Sequence, residues 1–275
     1  MLKKTTLTLA VWAGLSSSIS IQAAEPLRVA ADPVPHAQIL AYVQKIDPQL
    51  NLKVIEIPNG VNSNELLAHG DVDANYFQHL PYLHSQEQAL GQKFAVAATV
   101  HIEPLGIYSH RHTSFDQVPQ KGTVAVPNNV TNLSRALYLL QDHGLIRLKP
   151  GFNDPATDQA TDQATPKDIA ENPKQLKILE IESPQIPRAL DDVDLAVING
   201  NYALEAGLSP AKDALGLERA SNNPYANIVV TTPALQDDPR IRQLAKDLAS
   251  PQVAKFINDT YSGSVIPVTV AGIAQ

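Results

Sequence analysis

The 275-residue chain contains no cysteine. This absence excludes disulfides, thiolate metal sites, a cysteine nucleophile and a lipid anchor attached to a thiol. Glycine (13 residues) is scarcer than proline (21 residues), which favours many short elements over a few long helices. The net charge is −7, and this lack of positive charge argues against a nucleic-acid partner. With 44% hydrophobic and 18% charged residues, the composition is that of a folded protein rather than a disordered one.

The N-terminal segment 1–24 has the pattern of a secretory signal peptide. Lys3 and Lys4 form a basic start, residues 7–15 are mostly apolar, and small residues end the segment. The apolar stretch is too short to cross roughly 30 Å of hydrocarbon as a helix. We expect cleavage after Ala24, or alternatively after Ala23, and release into the periplasm. The only methionine and the only tryptophan lie within this segment.

The rest of the chain alternates short apolar strands with amphipathic helices, which predicts an α/β fold with mostly parallel sheets. Two such series follow one another and predict two lobes. We assign 25–108 plus 228–275 to the first lobe and 109–227 to the second. The linkers are expected at 108–119 and 221–227. A long strand-like segment, 93–109, leads into the first of them.

One motif occurs in both series. Residues 69–76 (HGDVDANY) resemble 191–196 (DDVDLA) together with 199–202 (NGNY). Each reads as a helix end, a buried strand and a polar, aromatic loop at the carboxyl end of that strand. In open α/β sheets ligands bind at that end. The repetition therefore predicts a ligand cleft between the lobes, although V-D-x-A strings also begin ordinary strands.

The four-residue repeat ATDQATDQAT (156–165) is polar and poor in apolar residues. Such a composition is typical of a solvent-exposed loop. We expect this one to have no functional role.

Sequence signatures of common enzymes are absent: the chain has no G-x-S-x-G, G-x-x-x-x-G-K, G-x-G-x-x-G or H-E-x-x-H motif. We therefore expect neither an enzyme nor a cofactor. All eight histidines lie between 36 and 143, which leaves a divalent-metal site as an alternative to hydrogen-bonded or surface histidines. Two aspartate pairs, Asp71/Asp73 and Asp192/Asp194, could each bind a hard cation on one face of a strand, or simply lie at solvated strand ends.

Arg135 is the strongest candidate for an anion-binding residue. It lies about one turn into a predicted helix, 131–143, whose start is rich in asparagine. A helix N-terminus offers free N–H groups and positive partial charge, and a guanidinium adds a two-pronged hydrogen bond to a carboxylate. An ordinary exposed helical arginine is the alternative.

Two asparagines and three aromatic residues complete the predicted site. Asn199 and Asn227 lie at strand ends and can both donate and accept, as binding an ammonium and a carboxylate requires. Tyr76, Phe77 and His79 offer flat faces for an apolar or thioether side chain. Each of them alone could equally be a turn or core residue.

Six segments together resemble the methionine-binding lipoprotein (NlpA) family: PVPHAQIL (33–40), GDVDANYFQHLPYL (70–83), HIEPLGIYS (101–109), TNLSRALYLL (131–140), DDVDLAVINGNYALEAGL (191–208) and NPYANIVV (223–230). The resemblance covers essentially all of the chain after residue 24. It implies a two-lobed periplasmic-binding fold that closes on methionine in the interlobe cleft and delivers it to the membrane permease of an ABC importer. It also implies the roles of the site residues. Arg135 would hold the carboxylate, Asn199 and Asn227 would orient the polar groups, and Tyr76, Phe77 and His79 would line the side-chain pocket.

The sequence departs from the family in two respects. The family usually carries a lipobox cysteine, so its absence here implies a protein free in the periplasm rather than lipid-anchored. We also expect a monomer. The family's usual Asp-Pro before the arginine helix is Asn129-Val130 here. A binding protein for another amino acid or a divalent metal remains an alternative, and a periplasmic hydrolase is a further one without a nucleophile–base pattern.

Overall fold

The computed structural model describes residues 25–58, 60–152 and 163–268. The predicted signal peptide, 1–24, lies outside these residues, as do positions 156–162 of the four-residue repeat. Within them, the chain forms two larger mixed β-sheets and one small two-stranded sheet, with helices packed on the larger sheets. Among the described residues, no helix combines the length and apolar character needed to cross a bilayer.

The first sheet has the strand order β13-β4-β12-β3-β1-β2. Strands β1 to β3 pair in parallel, whereas β12, β4 and β13 are added antiparallel. The strands are β1 (Leu27–Ala31), β2 (Leu52–Glu56), β3 (Ala74–His79), β4 (Ala95–Ile102), β12 (Asn227–Thr231) and β13 (Ile266–Pro267).

The second sheet repeats this arrangement in the order β11-β5-β10-β6-β9. Its β9, β6 and β10 pair in parallel, and β5 and β11 are added antiparallel. The strands are β5 (Gly106–Tyr108), β6 (Thr123–Pro127), β9 (Lys177–Ile181), β10 (Leu195–Ile198) and β11 (Gly216–Leu217), while β7 (Arg147–Leu148) and β8 (Ile169–Glu171) form the small sheet. Both large sheets are mixed rather than mostly parallel as predicted. The reason is that β5 and β12, each the first strand after the chain passes from one sheet to the other, run antiparallel to both of their neighbours.

Helix α4 (Val130–Asp142) begins and ends within one residue of its predicted limits, 131–143. Asn62 caps α2 and Gly70 ends it with a φ of 78°, a left-handed conformation that glycine adopts without strain. Asn129 caps α4 by accepting a hydrogen bond from the Asn132 N–H at 3.0 Å. The helices are α1 (Gln38–Ile46), α2 (Ser63–His69), α3 (Leu80–Leu90), α4 (Val130–Asp142), α5 (Gly200–Glu205), α6 (Pro210–Asp213), α7 (Pro239–Leu248) and α8 (Pro251–Tyr261).

The first crossing between the sheets lies at 103–105, earlier than the predicted linker at 108–119. The predicted strand 93–109 is in fact two strands, because β4 ends at Ile102 in one sheet and β5 begins at Gly106 in the other. Pro104 lies between them and has no N–H to continue the ladder. Tyr108 pairs with Ala196, so it belongs to the second sheet and not to the first lobe. The chain returns to the first sheet through residues 218–226, which overlap the predicted 221–227.

Each sheet has its own hydrophobic core. In the first sheet, residues of β1 alternate: Val29 packs with α1, α7 and α8 on one face, and Ala30 packs with α2 and α3 on the other. The second core includes Ala164 at the end of the four-residue repeat, which is fully buried and donates its N–H to Ser134 Oγ at 2.9 Å. This end of the repeat is therefore not the solvent-exposed loop that the sequence predicts.

Candidate functional site

A cavity of about 290 Å³ lies between the two sheets, near the lower end of the roughly 300–1,000 Å³ found for ligand pockets. Five of the six predicted site residues line it: Phe77, His79, Arg135, Asn199 and Asn227. They come from β3, α4, the end of β10 and the start of β12. The structure therefore brings residues from both halves of the chain together at the carboxyl ends of strands β3 and β10, where the repeated motif predicts them.

Tyr76 is the exception, and its assignment to the pocket is not supported by its position. Its side chain is fully buried in the core on the α1 face of the first sheet, and it does not line the cavity. The β3–β12 pairing passes from Tyr76 to Gln78, so that Phe77 is skipped at an irregularity in the ladder. Strand alternation and this irregularity direct Phe77, rather than Tyr76, to the cavity.

His79 connects the two halves across the cavity. Its Nδ1 accepts a hydrogen bond from the Tyr82 N–H at 3.2 Å, which leaves the proton on Nε2 to be donated to Asn132 Oδ1 at 3.0 Å. Burial, with a smaller contribution from the positive charge of Arg135, lowers the pKa of His79 to about 3. His79 is therefore a neutral hydrogen-bonding side chain at neutral pH.

Arg135 is buried, with 3% of its surface exposed, and it is not the exposed helical arginine of the alternative interpretation. Its Nε and Nη2 donate to the two carboxylate oxygens of Glu218 at 2.9 and 2.6 Å, and Nη2 also donates to the carbonyl oxygen of Glu103 at 2.9 Å. The guanidinium carbon lies 4.3 Å from the ring centre of Tyr225. The two-pronged bond expected for a ligand is therefore made to Glu218, and Nη1 is the nitrogen outside these contacts.

The two predicted asparagines differ in their environments. Asn199 precedes α5, and its buried side-chain oxygen has no hydrogen-bond partner among the residues that the structure describes. An unpaired buried acceptor beside a cavity is the arrangement that a donor on a ligand would complete. Asn227, in contrast, accepts a hydrogen bond from His36 Nε2 at 3.0 Å, which links it to a buried polar cluster beneath the cavity.

Glu103 is the centre of that cluster. Its Oε1 lies 2.6 Å from His101 Nε2 and 3.2 Å from His36 Nε2, and its Oε2 accepts the Asn201 N–H at 2.7 Å. His101 in turn contacts the Tyr76 hydroxyl through Nδ1. Burial lowers the pKa of His36 to about 4 and that of His101 to about 3, and raises the pKa of Glu103.

His36, His101 and Glu103 are also the group of metal-type ligands that the described residues bring together, with ligand atoms within 4.8 Å of one another. Here Glu103 Oε1 bonds to Nε2 of both His101 and His36, and His36 Nε2 also bonds to Asn227 Oδ1. This is the hydrogen-bonded arrangement that the sequence left open as the alternative to a metal site. The paired histidines His110 and His112 bond instead to Asp191 and Asp194 at 2.8 and 2.9 Å.

Comparison with known proteins agrees with this architecture. The model of the NlpA lipoprotein family matches residues 27–269. The D-methionine-binding lipoprotein MetQ of Escherichia coli K12 is 38% identical over 232 residues, which cover 84% of this chain and 82% of that protein. A nutrient-binding protein from Burkholderia cenocepacia, solved with methionine bound, is 43% identical with a TM-score of 0.82, over 88% of this chain and 99% of that one.

The chain belongs to the NlpA lipoprotein family. A periplasmic substrate-binding protein of an ABC transporter from Coxiella burnetii is similar as well, with 39% identity and a TM-score of 0.81 over 88% of this chain and 100% of that one. The resemblance that the six sequence segments indicate is thus confirmed, and so is the α/β binding-protein fold.

Sequence reasoning missed several residues of this NlpA-family site. Those that line the cavity include Asp32, Tyr82, Glu103, Asn132, Asn201 and Tyr202. Some of them lie in segments already quoted for the resemblance, such as Glu103 in HIEPLGIYS. The signal that was available is the spacing His101-x-Glu103-Pro104, which places two polar side chains on one face where a strand ends at a proline.

Proposed function

We propose that this protein is a periplasmic solute-binding protein that captures methionine and delivers it to an ABC importer. The observation that carries the proposal is the cavity between the two sheets, lined from both sides by Phe77, Arg135, Asn199 and Asn227. It occurs in a chain whose relatives include a protein named for methionine binding and a structure solved with methionine.

The lining residues suit the parts of a zwitterionic amino acid with an apolar side chain. Arg135 supplies a cation for the carboxylate, with Nη1 outside its internal contacts. Asn199 supplies an unpaired oxygen for a donor such as an ammonium. Phe77 and the neutral ring of His79 supply polarizable faces for a thioether. Asn227, oriented by His36, lines the same cavity.

The direct test is isothermal titration calorimetry of the chain from Glu25 onward with L-methionine, D-methionine, leucine and glutamate. We expect methionine to bind and glutamate not to bind, because Arg135 is the one arginine or lysine among the described residues that line the pocket, which leaves none available to a second carboxylate. Thermal shift gives an independent readout, since a ligand at 100 times its Kd adds about 2.7 kcal/mol to the free energy of unfolding. A protein that binds none of these amino acids would contradict the proposal.

The metal alternative is tested in the same experiment. Zn²⁺ and Ni²⁺ are titrated against the same protein after treatment with a chelator. Because His36, His101 and Glu103 bond to one another, we expect no stoichiometric binding that depends on His101. The control is His101→Gln. Tight metal binding that this variant abolishes would favour the metal-binding function instead.

For its location, we propose export and release as a periplasmic monomer. Basic and apolar residues begin the sequence, small residues occupy the expected cleavage site at Ala23 or Ala24, and no cysteine is available to carry a lipid. Intact-mass measurement of the protein from a periplasmic extract tests this proposal, and light scattering tests the oligomeric state. A lipid adduct, or a mass that includes residues 1–24, would contradict it.

A further inference from the structure

Asp32 follows β1 directly and lines the cavity with 9% of its surface exposed. One of its carboxylate oxygens accepts a hydrogen bond from Asn201 Nδ2 at 3.0 Å. Among the described residues, no lysine, arginine or histidine forms an ion pair with it. A buried carboxylate without a cation is costly unless a binding partner supplies the charge.

We propose that the Asp32 carboxylate is the counter-ion of the ligand's ammonium group. This inference rests on the proposed capture of an α-amino acid, and it assigns to this cavity a requirement for an amino group. Asn199, whose oxygen is unpaired, lines the same cavity and provides a second acceptor. Arg135 lines it as well and provides the cation for the carboxylate, so the cavity offers a cation and a carboxyl group to the two charges of a zwitterion.

The surroundings of Asp32 favour a cationic partner. The carboxylates of Glu103, at the first crossing, and Glu205, on α5, repel its charge, and the phenols of Tyr82 on α3 and Tyr202 on α5 interact with it. Burial is the largest effect and, with these carboxylates, raises the pKa of Asp32 to about 8, while the Asn201 hydrogen bond opposes the rise. In the protein without ligand, Asp32 is therefore largely protonated at pH 7.

Two consequences follow from this arrangement. An ammonium that pairs with Asp32 favours its ionised form, so binding at pH 7 releases close to one proton from the protein. Affinity for methionine then falls about tenfold for each pH unit below about 8, because the carboxylate must lose its proton before it can pair. A ligand that lacks the amino group gains nothing from ionised Asp32, so its affinity does not fall in this way.

The test compares methionine with 4-(methylthio)butanoate, which is methionine without its amino group, on the wild type, Asp32→Asn and Asp192→Asn. Calorimetry in two buffers of different ionisation enthalpy counts the protons released. We expect Asp32→Asn to weaken methionine binding by about thirtyfold or more, to change binding of the des-amino ligand by less than about threefold, and to abolish proton release. Asp192→Asn, the matched control at an exposed position, retains methionine affinity within about threefold and retains the release.

The unliganded proteins provide a check on folding. A carboxylate whose pKa is raised on folding lowers stability as pH rises from its ordinary value of about 4 towards 8. Asp32→Asn without ligand is therefore expected to melt at or above the wild-type temperature at pH 8. If this variant does not fold, the wild-type pH profiles of the two ligands carry the test, and parallel profiles overturn the inference.

The experiment distinguishes a failure of the proposed role of Asp32 from a failure of the proposed function. A wild type that binds methionine, with Asp32→Asn within about threefold of it, leaves the proposed function standing and overturns the role of Asp32. The Asp32–Asn201 hydrogen bond would then serve only to join the lobes. A wild type that binds no amino acid overturns both proposals.

Discussion

Asp73 and Asp194 make the same hydrogen bonds in the two sheets. Asp73 Oδ2 accepts from the Arg28 N–H and Asp194 Oδ2 from the Thr123 N–H, each at 2.8 Å. In both cases the aspartate's own N–H donates back to the carbonyl oxygen of that same partner, at 2.9 and 3.1 Å. In both sheets, the aspartate of the V-D-x-A motif therefore links the start of one strand to the parallel strand beside it by hydrogen bonds.

This relationship predicts the effect of removing either charge. Asp194→Asn and Asp73→Asn should each lower the free energy of unfolding by about 1–3 kcal/mol, because a charged acceptor of several hydrogen bonds is replaced by an amide. Urea denaturation at pH 7 measures the change. Asp192→Asn, at an exposed position of the same motif, is the matched control and should change it by less than about 0.5 kcal/mol.

The acid dependence of these aspartates has a definite sign. Hydrogen bonds and the charges of Arg28 and His112 hold the pKa values of Asp73 and Asp194 below their ordinary range. Their contribution to stability is thus present above the ordinary aspartate pKa and is lost as pH falls through the lowered values. Urea titrations from pH 7 to pH 3 should show a smaller loss of stability for the double variant Asp73→Asn/Asp194→Asn than for the wild type. Equal losses would contradict the contribution of these two carboxylates to stability.

Arg135→Ala should weaken methionine binding by about 2–5 kcal/mol, or roughly thirtyfold to several thousandfold, because it leaves a desolvated carboxylate without its cation. Arg135→Lys keeps the charge but loses the planar fork and should lie between this variant and the wild type. Arg147→Ala removes an exposed arginine that pairs with Glu171 and serves as the control. Calorimetry compares the four proteins.

Arg135→Ala also leaves Glu218 without its cation, so a fall in melting temperature is expected in the absence of ligand. The double variant Arg135→Ala/Glu218→Gln should recover part of this stability and none of the affinity. If Arg135→Ala folds and binds methionine within about threefold of the wild type, the carboxylate is held elsewhere.

Alanine variants of Asn199 and Asn227 should differ in whether they reduce methionine binding alone or both binding and stability. Asn199→Ala removes an oxygen that is unpaired in the empty protein, so it should weaken methionine binding while changing stability by less than about 0.5 kcal/mol. Asn227→Ala also removes the partner of buried His36, so it should reduce affinity and stability together. Thermal melts with and without methionine measure both quantities. Equal stability losses for the two variants would show that Asn199 has a structural partner.

The two crossings define an expected hinge. The Glu218 N–H donates to the Leu105 carbonyl at 2.9 Å, and the Leu105 N–H donates to Glu218 Oε2 at 3.2 Å, so the crossings at 103–105 and 218–226 lie side by side. Rotation about this pair would open the cavity between the sheets. Small-angle X-ray scattering should show a smaller radius of gyration with methionine than without it. An unchanged radius, with binding demonstrated by calorimetry, would mean that the lobes are closed before the ligand arrives.

The sequence alone determined the features that depend on neighbours along the chain. The asparagine-rich start and the limits of α4, together with the repeated aspartate motif, follow from local hydrogen bonding and periodicity, which can be recognised within a few residues. The segments that resemble the NlpA family also predicted the two-lobed arrangement and five of the residues that line the cavity. These predictions needed no knowledge of which distant residues meet.

Only the tertiary structure decided which side chains face the cavity and what they contact. Tyr76 and Phe77 are adjacent and alike in sequence, but strand alternation and the irregular β3–β12 pairing send them to different places. Arg135 meets Glu218 across 83 positions and His36 meets Asn227 across 191, and such pairs leave no local pattern. Burial then sets the chemistry: the same carboxyl group is an ordinary acid at the surface and has a pKa near 8 at Asp32, because the fold removes it from water and places Glu103 beside it.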